Sequence, residues 1–515
     1  MTTAAVARPL TGAELPRRVR CARALGIRAI AVIIGAFAML VSFAGSWIPS
    51  FWGDEAVSIM SAVRPLPSLF AALGRVDAVH GTYYLFLRGW IDLFGASELS
   101  LRLPSAIAVG LAAAGTVVLG DLLLTRRIAI IAGIVLAVLP RVTSVGSEAR
   151  SFALGMAIAV WLTAMLVRLL ARAAVGRLAW LAYALVFAVA IYLFLFLVLL
   201  AVVHGVLLLS RPRARGVLHR WLEAVGLGVV LAAPVIVWGL AQHHQIAFLA
   251  ARYQITFETV LVEQWFSGFW LPVVCWALIV LGAVAVIRSG RAGRGGAVLT
   301  VAWLVLPTAI LLAGNAAIAP MYATRYLAFC APAAALLIAA GVAALPRARL
   351  HASALPLAWL QASVGVLLIA LVVPGYLAQR GPYAMDGGSD WRQVSAIVGA
   401  HARPGDAVVF GLTRRPSRMP RLAMYAYPDA YRGLNDIELV TAYDRLPGLR
   451  DDVARLGTVT ARLAATTTVW VVAPLPSDRS GTPADVATLE RLGFGLAREF
   501  PVHRNGVYEL TRRAP

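Results

Sequence analysis

Long apolar runs recur through most of this chain, and short arginine-rich turns punctuate them. Several runs approach or exceed the ~20 residues that an α-helix needs to cross a bilayer. With 60% hydrophobic residues and a mean hydropathy of +0.79, the sequence reads as a polytopic α-helical membrane protein. The formal net charge of +21 is no nucleic-acid signature, because the basic residues cluster in turns between apolar runs, as cytoplasmic loops do. No Lys occurs, so all 46 basic residues are Arg. Any anion site here must use guanidinium, which binds bidentately and stays charged. The Arg-only, Ala-rich usage points to a GC-rich bacterial genome. Cys21, Cys275 and Cys330 lie too far apart for a metal motif or a disulfide framework.

Matching runs to turns predicts about eleven spans. Residues 1–25 form a cytoplasmic arm whose arginines flank an uncleaved first span at 26–48, too long for a signal peptide. Residues 49–102 follow as an external loop. Its segment Tyr83–Phe94, with Arg88 and Asp92, reads as an amphipathic helix at the membrane surface. Further spans are expected at 103–124, 128–142 and 152–171, then as two halves of 178–209 divided near Tyr192. The remaining spans fall at 221–241, 269–288, 297–317, 326–345 and 356–377, with a second external loop at 242–268. This parity leaves 378–515 outside.

The segment 378–515 is more polar. Residues 390–402 and 483–493 have a helical period, while 407–410, 466–474 and 505–512 read as strands. That pattern predicts a small external α/β domain, a cap with no P-loop and no dinucleotide-binding turn. Arg414, Arg415, Arg418 and Arg421 read as a solvated loop within it.

Chemistry concentrates between Phe51 and Arg64. Asp54 and Glu55 stand just beyond the first span, among Trp47, Phe51 and Trp52. Carboxylates in such a half-dehydrated setting are costly unless they have partners or a task. Other acids of the membrane part, including Asp77, Glu98 and Glu148, also fall on external segments, and arginines accompany them. Arg150 follows Glu148, Arg252 shares the second loop with His243 and His244, and Arg325 precedes Tyr326 at the mouth of a span. Guanidinium groups converging with carboxylates at one membrane face describe a pocket for an anion whose tail stays in lipid, such as a polyprenyl phosphate. Taken singly, each residue has a plainer reading. Glu148 and Arg150 pair across a helix start, Arg325 snorkels to the interface, His80 is structural, and His243 and His244 are loop residues with too few partners for zinc.

The motif order is Asp54-Glu55, then His80-Gly-Thr-Tyr-Tyr84, then Leu101-Arg102-Leu103-Pro104-Ser105-Ala106, then Ser147-Glu148-Ala149-Arg150. Over roughly residues 25 to 345 this resembles the glycosyltransferase family 39 branch of the GT-C superfamily, which includes protein O-mannosyltransferases and the aminoarabinose transferase acting on lipid A. The chain departs from the family where His80-Gly81-Thr82 replaces His-Pro-Pro, and where YLFLF near 190–198 replaces a His-aromatic pair. The resemblance implies a GT-C type transmembrane domain over 26–377. It also implies inverting transfer of a sugar, mannose favoured, from a polyprenyl-phosphate donor to a hydroxyl of a cell-envelope acceptor outside the cell. That acceptor is a glycolipid, a glycan or a protein. Asp54 is then the candidate base, with Glu55 orienting it or the acceptor, and Arg150, Arg252 and Arg325 are the candidate clamp on the donor phosphate. His80, Tyr84, Glu148, His243, His244 and Tyr326 support them. No cofactor or metal is required, although a divalent cation is compatible with the site. The competing reading is a transporter or flippase for a lipid-linked or anionic solute. It accounts for the spans and the arginines, but not for the long first loop or the terminal domain, and the hydropathy shows no inverted repeat.

Overall fold

The computed structural model describes residues 26–172, 174–211, 216–252, 254–289, 291–345, 357–476 and 481–513. The arm 1–25, with Cys21, and the basic turn 347–351 lie outside the described residues. The chain opens with α1 (Ile27–Phe43), then three short helices, α2 (Gly53–Val63), α3 (Leu66–Leu73) and α4 (Gly81–Phe94). The bundle continues through α5 (Glu98–Leu123), α6 (Arg126–Val138), α7 (Pro140–Val145), α8 (Phe152–Leu170), α9 (Arg177–Leu193) and α10 (Leu200–Ser210). It closes with α11 (Leu218–Leu231), α12 (Ala233–Ala241), the single turn α13 (Leu249–Arg252), α14 (Trp270–Arg288), α15 (Arg291–Ala317), α16 (Ala331–Ala344) and α17 (Leu357–Ala378).

Among the described residues six helices are long and apolar enough to cross a membrane, or seven if α11 and α12 form one span. Shorter apolar helices cover Ile27–Phe43, Arg177–Leu193 and Leu195–Ser210. Helices approach closely where glycines face each other. A Cβ on Gly35 of α1 would meet the carbonyl oxygen of Gly110 in α5, and a Cβ on Gly110 would meet that of Gly35. Such small-residue contacts let backbones pack tightly without a hydrophobic driving force between helices.

Two expectations need correction. The span expected at 221–241 is two helices bent by 57°. Pro234, in the first turn of α12, lacks the N–H that would continue the α11 hydrogen-bond ladder. The first loop also ends sooner than 102, because α5 starts at Glu98 behind Ser97, whose hydroxyl accepts from the Ser100 N–H at 3.2 Å. Arg102 therefore lies inside a helix. Its charge is tolerated there because Glu55 pairs with it.

The C-terminal segment carries α18 (Trp391–His401), β1 (Ala407–Phe410), α19 (Leu422–Ala426), β2 (Asn435–Asp436), β3 (Leu439–Thr441) and β4 (Asp452–Val453). It ends with β5 (Thr468–Pro474), α20 (Ala484–Arg491), β6 (Phe494–Pro501) and β7 (Asn505–Arg512). Five strands form one sheet in the order β2-β1-β5-β7-β6, parallel across β2, β1 and β5 and antiparallel to β7 and β6. Alternate residues of β1 serve two cores, as a period of two requires. Ala407 and Val409 pack with Val486 and Leu489 of α20, whereas Val408 and Phe410 face the bundle.

That second core is shared. Trp391, Val394, Phe410, Leu422 and Trp470 are buried in one cluster with Ala56, Ile59, Met60, Tyr83 and Tyr84 of the first loop. Polar contacts fasten the same seam. Arg392 donates to the carbonyls of Trp47 (2.6 Å) and Ile48 (2.9 Å) and pairs with Glu98 at 2.5 Å. The Tyr427 hydroxyl accepts from the Phe51 N–H at 2.8 Å, and Ser389 donates to the Phe51 carbonyl at 2.6 Å. The last part of the chain thus holds the segment that leads into α2.

Candidate functional site

α2 begins at Gly53, and its first turn carries Asp54 and Glu55. Acids there complement the helix dipole. Gly53 is small for a packing reason: a Cβ would collide with the backbone of Ser417 in the C-terminal domain. Successive helix residues point ~100° apart, so the two carboxylates separate. Glu55 faces inward. Its oxygens accept from Arg102 Nε (2.9 Å) and NH2 (2.6 Å), and Oε1 also accepts from the Ala149 N–H (2.8 Å). The remaining Arg102 donors reach the carbonyls of Ser46, Pro49 and Ser50, and both members of the ion pair are fully buried.

Asp54 faces the other way. Its Oδ2 accepts from Arg325 NH2 at 2.6 Å, and its side chain keeps 22% of its exposure. Burial alone would raise the Asp54 pKa, but Arg325, Arg150 and Arg252 together hold it below the ordinary carboxylate value. The Arg325 guanidinium lies over the rings of Trp52 (5.1 Å) and Phe152 (5.3 Å), and Tyr326 packs beside it against Phe152, Phe194 and Phe196. This aromatic cage fixes the cation and lowers the local dielectric around it.

Arg150 occupies the opposite side of Asp54. NH1 donates to Ser58 Oγ (3.0 Å) and the Asp54 carbonyl (3.3 Å), and NH2 donates to His80 Nε2 at 3.0 Å. Burial first, and then Arg150, push the His80 pKa well below its ordinary value, so His80 is a neutral acceptor. Tyr84 donates to Asp77 at 2.8 Å, and Asp77 takes a left-handed conformation (φ 56°) while its N–H is held by Gln245. The loop after α12 therefore braces the His80 turn.

A cavity of about 190 Å³ opens at Arg325, the partner of Asp54, and is lined by Trp52, Arg141, Glu148, Arg252 and Asp386 among others. Burial raises the Glu148 carboxyl against the opposing pull of Arg325, and its Oε2 is a buried oxygen with no hydrogen-bond partner. A buried acceptor left unmatched is costly, so this oxygen suits a ligand hydroxyl. Arg252 pairs with Asp386 at 3.0 Å. Asp386 is also held by Arg418 at 3.1 Å and lies 3.8 Å from Arg504, both of the C-terminal domain.

Of the arginines grouped from the sequence, the structure brings Arg252 and Arg325 to one cavity, while Arg150 lies behind Asp54. His243 and His244 are exposed, with their rings tilted against each other at 3.8 Å, and do not line the cavity. Sequence reasoning missed Arg141, which follows the Pro140 that ends α6, and Asp386, whose signal is the MDGG turn. It also misjudged the C-terminal arginines. Arg418 pairs with Asp386, and Arg421 binds Asp436 and lies within 3.7 Å of Glu438 and Asp451, so neither belongs to a solvated loop. Among the described residues no group of three or more His, Cys, Asp or Glu side chains is placed to hold a metal ion.

Residues 82–238 match a family model described as dolichyl-phosphate-mannose-protein mannosyltransferase. Among solved structures, the chain is similar to ArnT from Cupriavidus metallidurans bound to undecaprenyl phosphate. That match has 15% identity and a TM-score of 0.58, over 94% of this chain and 98% of the other. It is also similar to the Archaeoglobus fulgidus oligosaccharyltransferase tethered to an acceptor peptide containing the NVT sequon. Here the identity is 10% and the TM-score 0.50, over 93% and 74% of the two chains. No curated protein sequence matches. At these identities the likeness shows the fold. The chain is a multi-pass membrane protein with the fold of ArnT and a small C-terminal sheet domain.

Proposed function

We propose that this GT-C-fold protein is a membrane glycosyltransferase that moves a sugar from a polyprenyl-phosphate donor to a hydroxyl acceptor with inversion. One observation carries the reading: the Asp54 carboxylate is held by Arg325, which with Arg141 and Arg252 lines one cavity. In the reaction the acceptor oxygen attacks the anomeric carbon and its proton passes to Asp54. The bond to phosphate breaks, and polyprenyl phosphate leaves with the electron pair. That leaving group needs charge stabilisation rather than a proton, and Arg325, Arg252 and Arg141 supply it. An arriving phosphate also draws Arg325 away from Asp54, which strengthens the base when the donor is bound. Glu55 anchors α2, Glu148 meets a sugar hydroxyl, and Arg150, His80 and Tyr84 shape the acceptor side. His243 and His244 take no part.

Mannose is the first sugar to test, supported by the family match over 82–238. Pentoses follow. The acceptor is a glycolipid, glycan or protein of the cell envelope, and the chemistry takes place outside the cell with the N-terminus inside. The test is donor turnover by purified protein. Radiolabelled polyprenyl-phosphate mannose, then pentose donors, are offered with extracted envelope lipids and glycans, beside Asp54→Asn. Transfer by the wild type alone supports both the class and the base. Equal transfer by Asp54→Asn overturns the base. No transfer from any donor, with labelled lipid or solute crossing proteoliposomes instead, makes the protein a transporter.

A further inference from the structure

α2 is charged at both ends. Asp54 and Glu55 stand in its first turn, and Arg64 follows its last residue. Each sign complements the helix dipole at its own end. Arg64 is nevertheless in an unusual place for a cation, because only 1% of it is exposed. Its partners are two carbonyl oxygens and a ring rather than a carboxylate. NH1 donates to Leu446 at 3.1 Å, NH2 donates to Gly448 at 2.6 Å, and the Tyr443 ring lies 5.0 Å from the guanidinium carbon. The Arg64 Nε is buried with no hydrogen-bond partner. A guanidinium buried without a counter-charge is costly, and a methionine would fill the same space without that cost. Packing alone does not account for an arginine here.

The C-terminal domain holds α2 at its other end as well. Gly53 lies against Ser417, while Tyr427 and Ser389 bind the backbone of Phe51. Between the two ends, Leu422 and Ala423 of α19 share a buried core with Ala56, Ile59 and Met60. Ser68, just past α2, donates to the Asp444 carbonyl, so the turn at 443–448 grips the chain on both sides of Pro65. Ten residues separate Asp54 from Arg64, about 15 Å of helix. A helix this short moves as a rod, and a shift at Arg64 is carried to Asp54, where Oδ2 meets Arg325 at 2.6 Å.

We propose that Arg64 is a positioning residue for sugar transfer: its grip on the Leu446 and Gly448 carbonyls sets the axial position of α2, and thereby the contact of Asp54 with Arg325. The inference rests on the reading of Asp54 as the base. A guanidinium presents donors in a fixed plane to both carbonyls at once, whereas an ammonium is a point charge that does not fix that geometry. A misplacement of ~1 Å caused far from the reacting atoms costs about 10²-fold in rate.

Arg64→Lys and Arg64→Met are compared with the wild type as full-length protein in nanodiscs, by donor turnover and by unfolding midpoint. kcat is expected to fall about tenfold or more in Arg64→Lys and further in Arg64→Met, with the donor KM little changed. A mere loss of folded protein lowers the rate alike at every pH. Displacement of Asp54 from Arg325 instead moves the acid limb of kcat/KM to higher pH, because burial still raises the Asp54 pKa while its strongest opposing charge has receded. The other charged or titratable groups that act on or with Asp54 are Arg150, Arg252, Asp77, His80 and Glu148, and neither substitution alters them. Coupling gives a further readout. Independent effects multiply, so a positioning role predicts that Arg64→Met costs less than about threefold in an Arg325→Gln background, where the contact is already lost. Full multiplication there, or an acid limb that stays in place, makes Arg64 purely structural and overturns the proposal. Where Arg64→Met does not fold, Arg64→Lys carries the same readouts. Wild-type rates in Arg64→Lys overturn the positioning role alone, whereas no transfer by the wild type from any donor removes the transferase reading and this role with it.

Discussion

Two carboxylates one residue apart in α2 meet opposite fates. Glu55 and Arg102 are both wholly buried, and every oxygen and most donors of the pair are matched by a partner. Asp54 and Arg325 keep 22% and 10% of their exposure, and Arg325 lines a cavity. The first pair has nothing to offer a ligand, and losing either half leaves a charge stranded in a dry interior. The second shares its cation with whatever anion enters. Adjacent acids in a sequence are therefore not one unit; a rotation of ~100° around the helix buries one in a closed ion pair and leaves the other partly open.

The contrast breaks most visibly at Asp54. Asp54→Asn is expected to lower kcat by about 10²–10⁴-fold, while chemical unfolding shows a smaller stability loss than the matching change at Glu55. Glu55→Gln should instead cost roughly 3–5 kcal/mol of stability by leaving Arg102 buried without its counter-charge, and Glu55→Leu with Arg102→Met should recover most of it. Similar unfolding losses at 54 and 55 would erase the distinction. A smaller effect is expected from Gly53→Ala, about 1–3 kcal/mol of overpacking against the Ser417 turn. It should appear as reduced kcat with donor KM little changed, because the turn meets α2 and not the cavity.

The subtlest test is pH. The Asp54 pKa lies below its ordinary value, so the carboxylate persists to lower pH and the rate plateau should extend further into acid than for a free carboxylate. Arg325→Gln removes the strongest charge that opposes burial, so the Asp54 pKa rises and the acid limb of kcat/KM moves to higher pH. For stability the sign is the same. A depressed carboxylate pKa contributes stability above its unfolded value, and that contribution is lost as pH falls through the folded value. An acid limb that stays in place in Arg325→Gln would assign the shift to another group.

Much of this was legible in the sequence where the signal is local. Apolar runs located the long helices, and short runs rich in β-branched and aromatic residues found β1, β5 and β7. β6 was missed because its residues are mostly exposed and alternate poorly. The Asp54–Arg325 pairing was visible only as shared sidedness, not as a contact between residues so distant in the chain. Arg102 sat in a recognised motif, yet nothing near it names Glu55 as its partner. Arg418 and Arg421 looked solvated because their acids, Asp386 and Asp436, come from other turns. Pro234 accounts for the break at Ala232 once seen, but a proline alone did not foretell it, because Pro104, Pro307 and Pro374 lie inside continuous helices.

The core shared by the first loop and the final domain sets a schedule for biosynthesis. α2 is translated long before the side chains that complete its surroundings, Trp391, Phe410 and Trp470. Contacts of such long sequence separation form late. The helical bundle can assemble while the ribosome is still at work, but the environment of Asp54 is finished only once β5 has joined the sheet. A chain stopped before that strand would sit in the membrane with its spans in place and its reactive carboxylate unsupported. The surroundings of Asp54 are thus coupled to synthesis of the C-terminal sheet.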